Sequence, residues 1–90
     1  MADRIYKYKL TRSQMALPIG PSAKVLTAGL QDDEIVIWAI VDPWEKHDEH
    51  TGGRQFVVVN TGGDAHDDYR YINTLTTSNG IVWHVFEVGV

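Results

Sequence analysis

The longest nearly unbroken apolar run in the chain is Glu34-Ile35-Val36-Ile37-Trp38-Ala39-Ile40-Val41-Asp42-Pro43. At period two, one parity carries Val36, Trp38 and Ile40 and the other Ile35, Ile37, Ala39 and Val41, which predicts a strand covered on both faces. Asp32-Asp33 before it and Asp42-Pro43 after it supply turn chemistry, and Pro43 cannot donate to a ladder. A two-sided strand in so short a chain calls for a second layer or a second copy.

The remaining segments alternate around this strand. Arg4 to Leu10 places Tyr6, Tyr8 and Leu10 on one face and Lys7 and Lys9 on the other, the pattern of a protected edge strand. Gln14 to Leu17 predicts a short strand, and Pro18-Ile19-Gly20-Pro21-Ser22 a loop. Ala23 to Leu30 alternates again, with Val25 and Thr27 opposite Leu26 and Ala28. Gln31-Asp32-Asp33 then turns the chain into the apolar run as a hairpin. Arg54 to Thr61 is apolar and β-branched enough to sit beside the central strand. Tyr69 to Thr77 and Ile81 to Val88 flank Ser78-Asn79-Gly80, where Asn-Gly favours a two-residue type I′ turn. That turn sets Trp83 opposite Thr76, His84 opposite Leu75 and Phe86 opposite Asn73. Trp38, Trp83, Phe56 and Phe86 stand in apolar strands and are expected in the core. The acidic start at Asp64 suits a short helical turn. The predicted fold is mainly β: one domain over residues 1–90, a small antiparallel sheet or a sandwich or barrel-like arrangement. It has about six or seven strands and at most one short helical turn.

Composition narrows the function classes. The chain has 90 residues, 43% hydrophobic and 22% charged, with a formal net charge of −4, so it reads as an ordinary globular domain with a modest core. The eight basic residues are scattered, which argues against a general nucleic-acid binder and leaves room only for a local electropositive pocket. Zero cysteines exclude disulfides, zinc-thiolate sites and thiol catalysis, and fit a reducing cytoplasm. Met1-Ala2-Asp3-Arg4 opens no apolar signal segment, so no membrane association is expected.

Four stretches invite chemistry. His47-Asp48-Glu49-His50, with His66, has the residue types of a divalent metal site, but its spacing is not that of a zincin helix and a solvated loop explains it as well. Thr51-Gly52-Gly53-Arg54 and Thr61-Gly62-Gly63-Asp64 stand at the two ends of one predicted strand. Glycine pairs with Thr and Arg can expose backbone N–H groups to a phosphate, or simply turn the chain. In His66-Asp67-Asp68-Tyr69-Arg70-Tyr71, Tyr69 or Tyr71 can stack on a base while Arg70 holds phosphate; the plain alternative is an acidic loop leading into an amphipathic strand. Trp44, between a proline and a polar loop, suits a pocket rim or a subunit contact. No serine, histidine and acid arrangement marks a nucleophile.

Ile5-Tyr6-Lys7-Tyr8, Leu17-Pro18 with Gly20 and Ala23-Lys24-Val25-Leu26, Trp38-Ala39-Ile40-Val41-Asp42-Pro43 and His84-Val85-Phe86-Glu87-Val88-Gly89 together resemble a family of short proteins common in bacteriophage genomes. Members often carry Gly-Thr-Gly-His after the third long strand. Asn60-Thr61-Gly62-Gly63 stands there instead, so no role for that histidine transfers. The resemblance implies a phage protein in the host cytoplasm. By analogy with small β-rich phage sponges, it implies sequestration of a nucleotide-type immune signal by a homo-oligomer, without catalysis, cofactor or metal. The ligand-binding residues expected are Trp44, Arg54, Thr61, Gly62, Gly63, Tyr69 and Arg70. The alternative is a protein–protein interaction module, either a host-enzyme inhibitor or a minor virion component.

Overall fold

A computed structural model describes residues 2–45 and 53–89. Seven strands run in chain order: β1 (Arg4–Leu10), β2 (Gln14–Leu17), β3 (Lys24–Gln31), β4 (Glu34–Val41), β5 (Arg54–Asn60), β6 (Tyr69–Thr76) and β7 (Val82–Val88). They form two antiparallel sheets, β1-β4-β3 and β2-β5-β7-β6, with no helix among the described residues. The small, mainly β domain expected from the alternation is therefore what the chain builds.

The apolar run becomes β4, the central strand of the three-stranded sheet. Its inner parity, Ile35, Ile37, Ala39 and Val41, joins Leu10, Ala28, Phe56 and Val85 in the core between the sheets. Its outer parity is covered from within the same sheet. Val36 is fully buried, and the Trp38 ring lies over Gly29, where a β-carbon would collide with it. Trp38 is thus a cover for the outer face, not part of the inner core. The arginine-led strand β5 also lies elsewhere than expected: it pairs with β2 and β7, and so faces β4 from the opposite sheet.

Two irregularities shape the rest. In β3 the register shifts between Val25 and Thr27, so Val25 and Ala28 both face inward and the simple alternation fails at Leu26. In the β6–β7 hairpin the loop is Ser78-Asn79-Gly80, with Gly80 at φ 87° and Thr77 paired to Ile81 by a 2.8 Å hydrogen bond. A three-residue loop of this kind, a type I turn followed by a left-handed glycine, moves the register by one from a two-residue turn. Trp83 stands opposite Leu75 and His84 opposite Thr74. A second shift between Tyr71 and Asn73 then sets Phe86 opposite Tyr71. Phe86 therefore lies outside, against Tyr69 and Tyr71 at ring separations of 5.6 and 5.7 Å.

The sheets close towards a barrel along one seam. The Asn73 side chain accepts from the Ala28 N–H at 2.9 Å and donates to the Ala28 carbonyl at 2.8 Å, so a single amide stands in for a β-bridge between β6 and β3. At one end Asp33, in a two-residue turn with φ of 52° and 61° at Asp32 and Asp33, accepts from the Ser78 N–H at 3.2 Å and hydroxyl at 2.5 Å. At the other end Ile19, only 1% exposed, plugs the core from the proline loop.

Candidate functional site

Below the Asn73 stitch, β3 and β6 diverge where both carry their bulges. The opening is a groove of about 390 Å³ between the two strand edges, walled by Lys24 and Leu26 on one side and Arg70 and Tyr71 on the other. Its floor is Arg54 with Glu87. Strand pairing explains the convergence: Arg70 is the cross-strand partner of Glu87, which is the partner of Phe56, two residues beyond Arg54 on the same face of β5. The same four groups, Ala23, Arg54, Arg70 and Glu87, also line an adjoining recess towards Pro21 and Gly89.

Glu87 is 3% exposed, and Arg54 engages both of its oxygens, donating from Nε at 2.6 Å and from Nη2 at 2.9 Å. Arg54 Nη1 donates in addition to the carbonyls of Ala23 at 2.5 Å and Gly20 at 3.3 Å. The hydrogen-bonded Glu87 carboxylate raises the Arg54 pKa, against the opposing effect of burial, so the guanidinium is permanently charged. It is a fixed structural cation. Among the described residues, Lys24 and Arg70 have no hydrogen-bonded partner, so theirs are the positive charges the groove leaves available. Tyr71, 58% exposed, stands at the groove rim on the outer face of β6, held in place by the edge of Phe86 and by a 2.7 Å hydrogen bond between its hydroxyl and Thr74.

Of the residues expected to bind a ligand, the structure brings together Arg54 and Arg70 only. Thr61, Gly62 and Gly63 follow the far end of β5, about 20 Å along the strand from Arg54. They do not form the expected cradle there: the Gly63 N–H donates to the Asn60 carbonyl at 2.9 Å, and the Thr61 hydroxyl pairs with His84 Nε2 at 2.8 Å. Tyr69 lies on the outer face between His66 and Phe86. Trp44 is 66% exposed beside Asp42, whose Oδ1 accepts its N–H at 2.9 Å, and does not line the groove. The cluster His47 to His50, and Thr51 and Gly52, lie outside the described residues. Among the described residues no group of three or more histidines or carboxylates is placed to hold a metal ion. No helix there is long and apolar enough to cross a membrane.

Lys24 and Glu87 were missed by sequence reasoning, which named Tyr71 only as an alternative to Tyr69. Glu87 had a signal: it shares a parity with Val85 and Trp83, and a charge on the inward face of a strand needs a buried partner. A family profile, described as a domain of unknown function (DUF7352), matches residues 1–90. No curated protein and no solved structure matches the chain.

Proposed function

We propose that this chain, which belongs to the DUF7352 family, binds and sequesters a small phosphate-bearing ligand of nucleotide type in the groove around Arg54 and Arg70. The observation that carries the reading is the local charge. In a chain of net charge −4, three cations, Lys24, Arg54 and Arg70, meet a single carboxylate there. Arg70 and Lys24 supply charge-assisted hydrogen bonds to phosphate oxygens, and the exposed ring of Tyr71 supplies a face for a base. The one carboxylate is engaged by Arg54 through both oxygens, so the groove offers binding groups and no free base. Capture without turnover is the corresponding role. The setting, a homo-oligomeric phage protein in the host cytoplasm, rests on the sequence resemblance.

Isothermal titration against cyclic dinucleotides and cyclic ADP-ribose isomers tests this, with chromatography showing the ligand recovered unchanged. Arg70→Ala is expected to weaken binding by about 10-fold or more, the usual worth of a charged hydrogen bond. Absence of heat with every ligand overturns the proposal.

A second reading, a protein-interaction module, is favoured by Trp44 and Ile5, which stand 66% and 63% exposed. Pull-down from host lysate separates the two, because a sequestering protein recovers small molecules and no stoichiometric protein partner.

A further inference from the structure

At the end of the barrel plugged by Ile19 lies a second recess, of about 260 Å³, with a character opposite to that of the groove. Its walls are the side chains of Tyr6 and Tyr8 from β1 and the rings of Pro18 and Pro43. Among the described residues, the only charged ones lining it are Asp42 and Glu45. We propose that this recess binds an organic cation, an alkylated ammonium group of choline type, against the tyrosine faces.

Each wall has a local cause. Tyr6 and Tyr8 share the inward parity of β1, but their partners are Ala39 and Ile37, and small Ala39 leaves space beside Tyr6 that a larger side chain would occupy. Burial, with Tyr6 adding to it, pushes the Tyr8 pKa above its ordinary value, so it remains a neutral phenol with an electron-rich face. Pro43 ends β4, and the turn after it carries Asp42 and Glu45 to the rim. Asp42 uses Oδ1 for the Trp44 N–H, and its Oδ2 has no partner among the described residues. Glu45 lies over Gly20, and its Oε1 accepts the Ser22 N–H at 3.3 Å, which holds it at the mouth. It also lies in the field of Arg54.

The chemistry discriminates among ligands. An anion meets two carboxylates and is excluded. A small inorganic cation finds no convergent set of oxygens among the described residues and loses its hydration shell against apolar walls. An alkylated ammonium ion is weakly hydrated, presents methyl groups to the prolines and rings, and keeps a charge that the ring faces and carboxylates attract. Neither the groove nor its phosphate ligand is needed for this inference, since Lys24, Arg70 and Tyr71 take no part.

NMR chemical-shift mapping of the full chain tests it, with choline as the probe and its uncharged isostere, in which carbon replaces the nitrogen, as the control. Choline is expected to shift the amides of Tyr6, Tyr8 and Glu45 saturably, and the isostere to bind at least about 5-fold more weakly, within the range of cation–π energies. Tyr6→Ala, at a position 42% exposed on an edge strand, should weaken choline by about 3- to 10-fold, while Tyr6→Phe keeps the ring and stays within about 2-fold of the unchanged protein. Glu45→Gln, which preserves the hydrogen bond to Ser22, should weaken it further at low salt than at high salt. Equal binding of the isostere, shifts that map elsewhere, or a Tyr6→Ala variant that binds choline unchanged would each overturn the assignment.

Discussion

Substitution of Glu87 removes the carboxylate hydrogen-bonded to a structural arginine, and the outcome separates two accounts of what the pair does. The side chains of Arg54 and Glu87 are 19% and 4% exposed. Breaking a buried pair typically costs about 3–5 kcal/mol, because the surviving charge is left without a counter-ion. Arg54 keeps the Ala23 and Gly20 carbonyls as acceptors and retains some solvent, so Glu87→Gln is expected below that range, at about 2 kcal/mol. Arg54→Met should cost more, about 3–5 kcal/mol, since it strands the buried Glu87 and takes a donor from each of those carbonyls. The double variant Arg54→Met/Glu87→Gln removes both charges, and its cost should be smaller than the sum of the single costs by at least about 1 kcal/mol. Thermal and urea unfolding of all four proteins give the cycle. For a domain of this size, 1 kcal/mol corresponds to about 4–8 °C in Tm, so Glu87→Gln should melt about 8–16 °C lower. Additive single costs, or a Glu87→Gln variant as stable as the parent, would refute the view that the groove floor is an ion pair holding the Gly20–Ala23 loop onto β5.

Three further outcomes follow from other contacts. Asn73→Ala should cost about 1–3 kcal/mol and raise amide exchange at Ala28, because the Ala28 N–H loses its partner across the seam and the carbonyl keeps only the Thr27 hydroxyl at 3.2 Å. Gly53, at φ 61° with its missing β-carbon aimed at the Leu17 carbonyl, should destabilise by more than about 1 kcal/mol as Gly53→Ala, read by urea midpoint. The Asp33 carboxyl is held below its ordinary 3.8 by the two hydrogen bonds from Ser78. A folded-state pKa below the unfolded one gives stability that is present above pH 3.8 and is lost as the pH falls through the lower, folded value. Asp33→Asn should therefore flatten the acid limb of a stability–pH curve, and an unchanged limb counts against the turn-to-turn contact.

Strand positions were readable because each begins or ends at a residue with one dominant backbone preference. Pro43 stops β4, Asp32 and Asp33 accept positive φ, and Gly80 marks the last hairpin. What could not be read was anything depending on one residue more or less. The extra residue in β3 reverses a face at Leu26, and a three-residue loop in place of two moves His84 from Leu75 to Thr74, where its Nδ1 meets the Thr74 hydroxyl at 2.9 Å. The partner of β5 was equally hidden, since Phe56-Val57-Val58-Val59 suits either sheet. The groove was half visible. Arg54 and Arg70 carried a signal as charges beside turns, but their meeting depends on pairing through β7, and the buried Ile19 sat in a segment read only as a loop.

The Asn73 seam has a consequence for behaviour at high concentration. In a two-layer β protein an uncovered outermost strand presents a row of unpaired amides that can recruit other chains into aggregates. Here β6 and β3 turn their edges towards each other, and one asparagine spans the gap without zipping it along its length. The arrangement turns two strand edges into a shared cleft lined by Lys24, Arg54 and Arg70, charges that disfavour docking of a neighbour's apolar strand. Protection of two strand edges and the groove of about 390 Å³ thus come from the same opening.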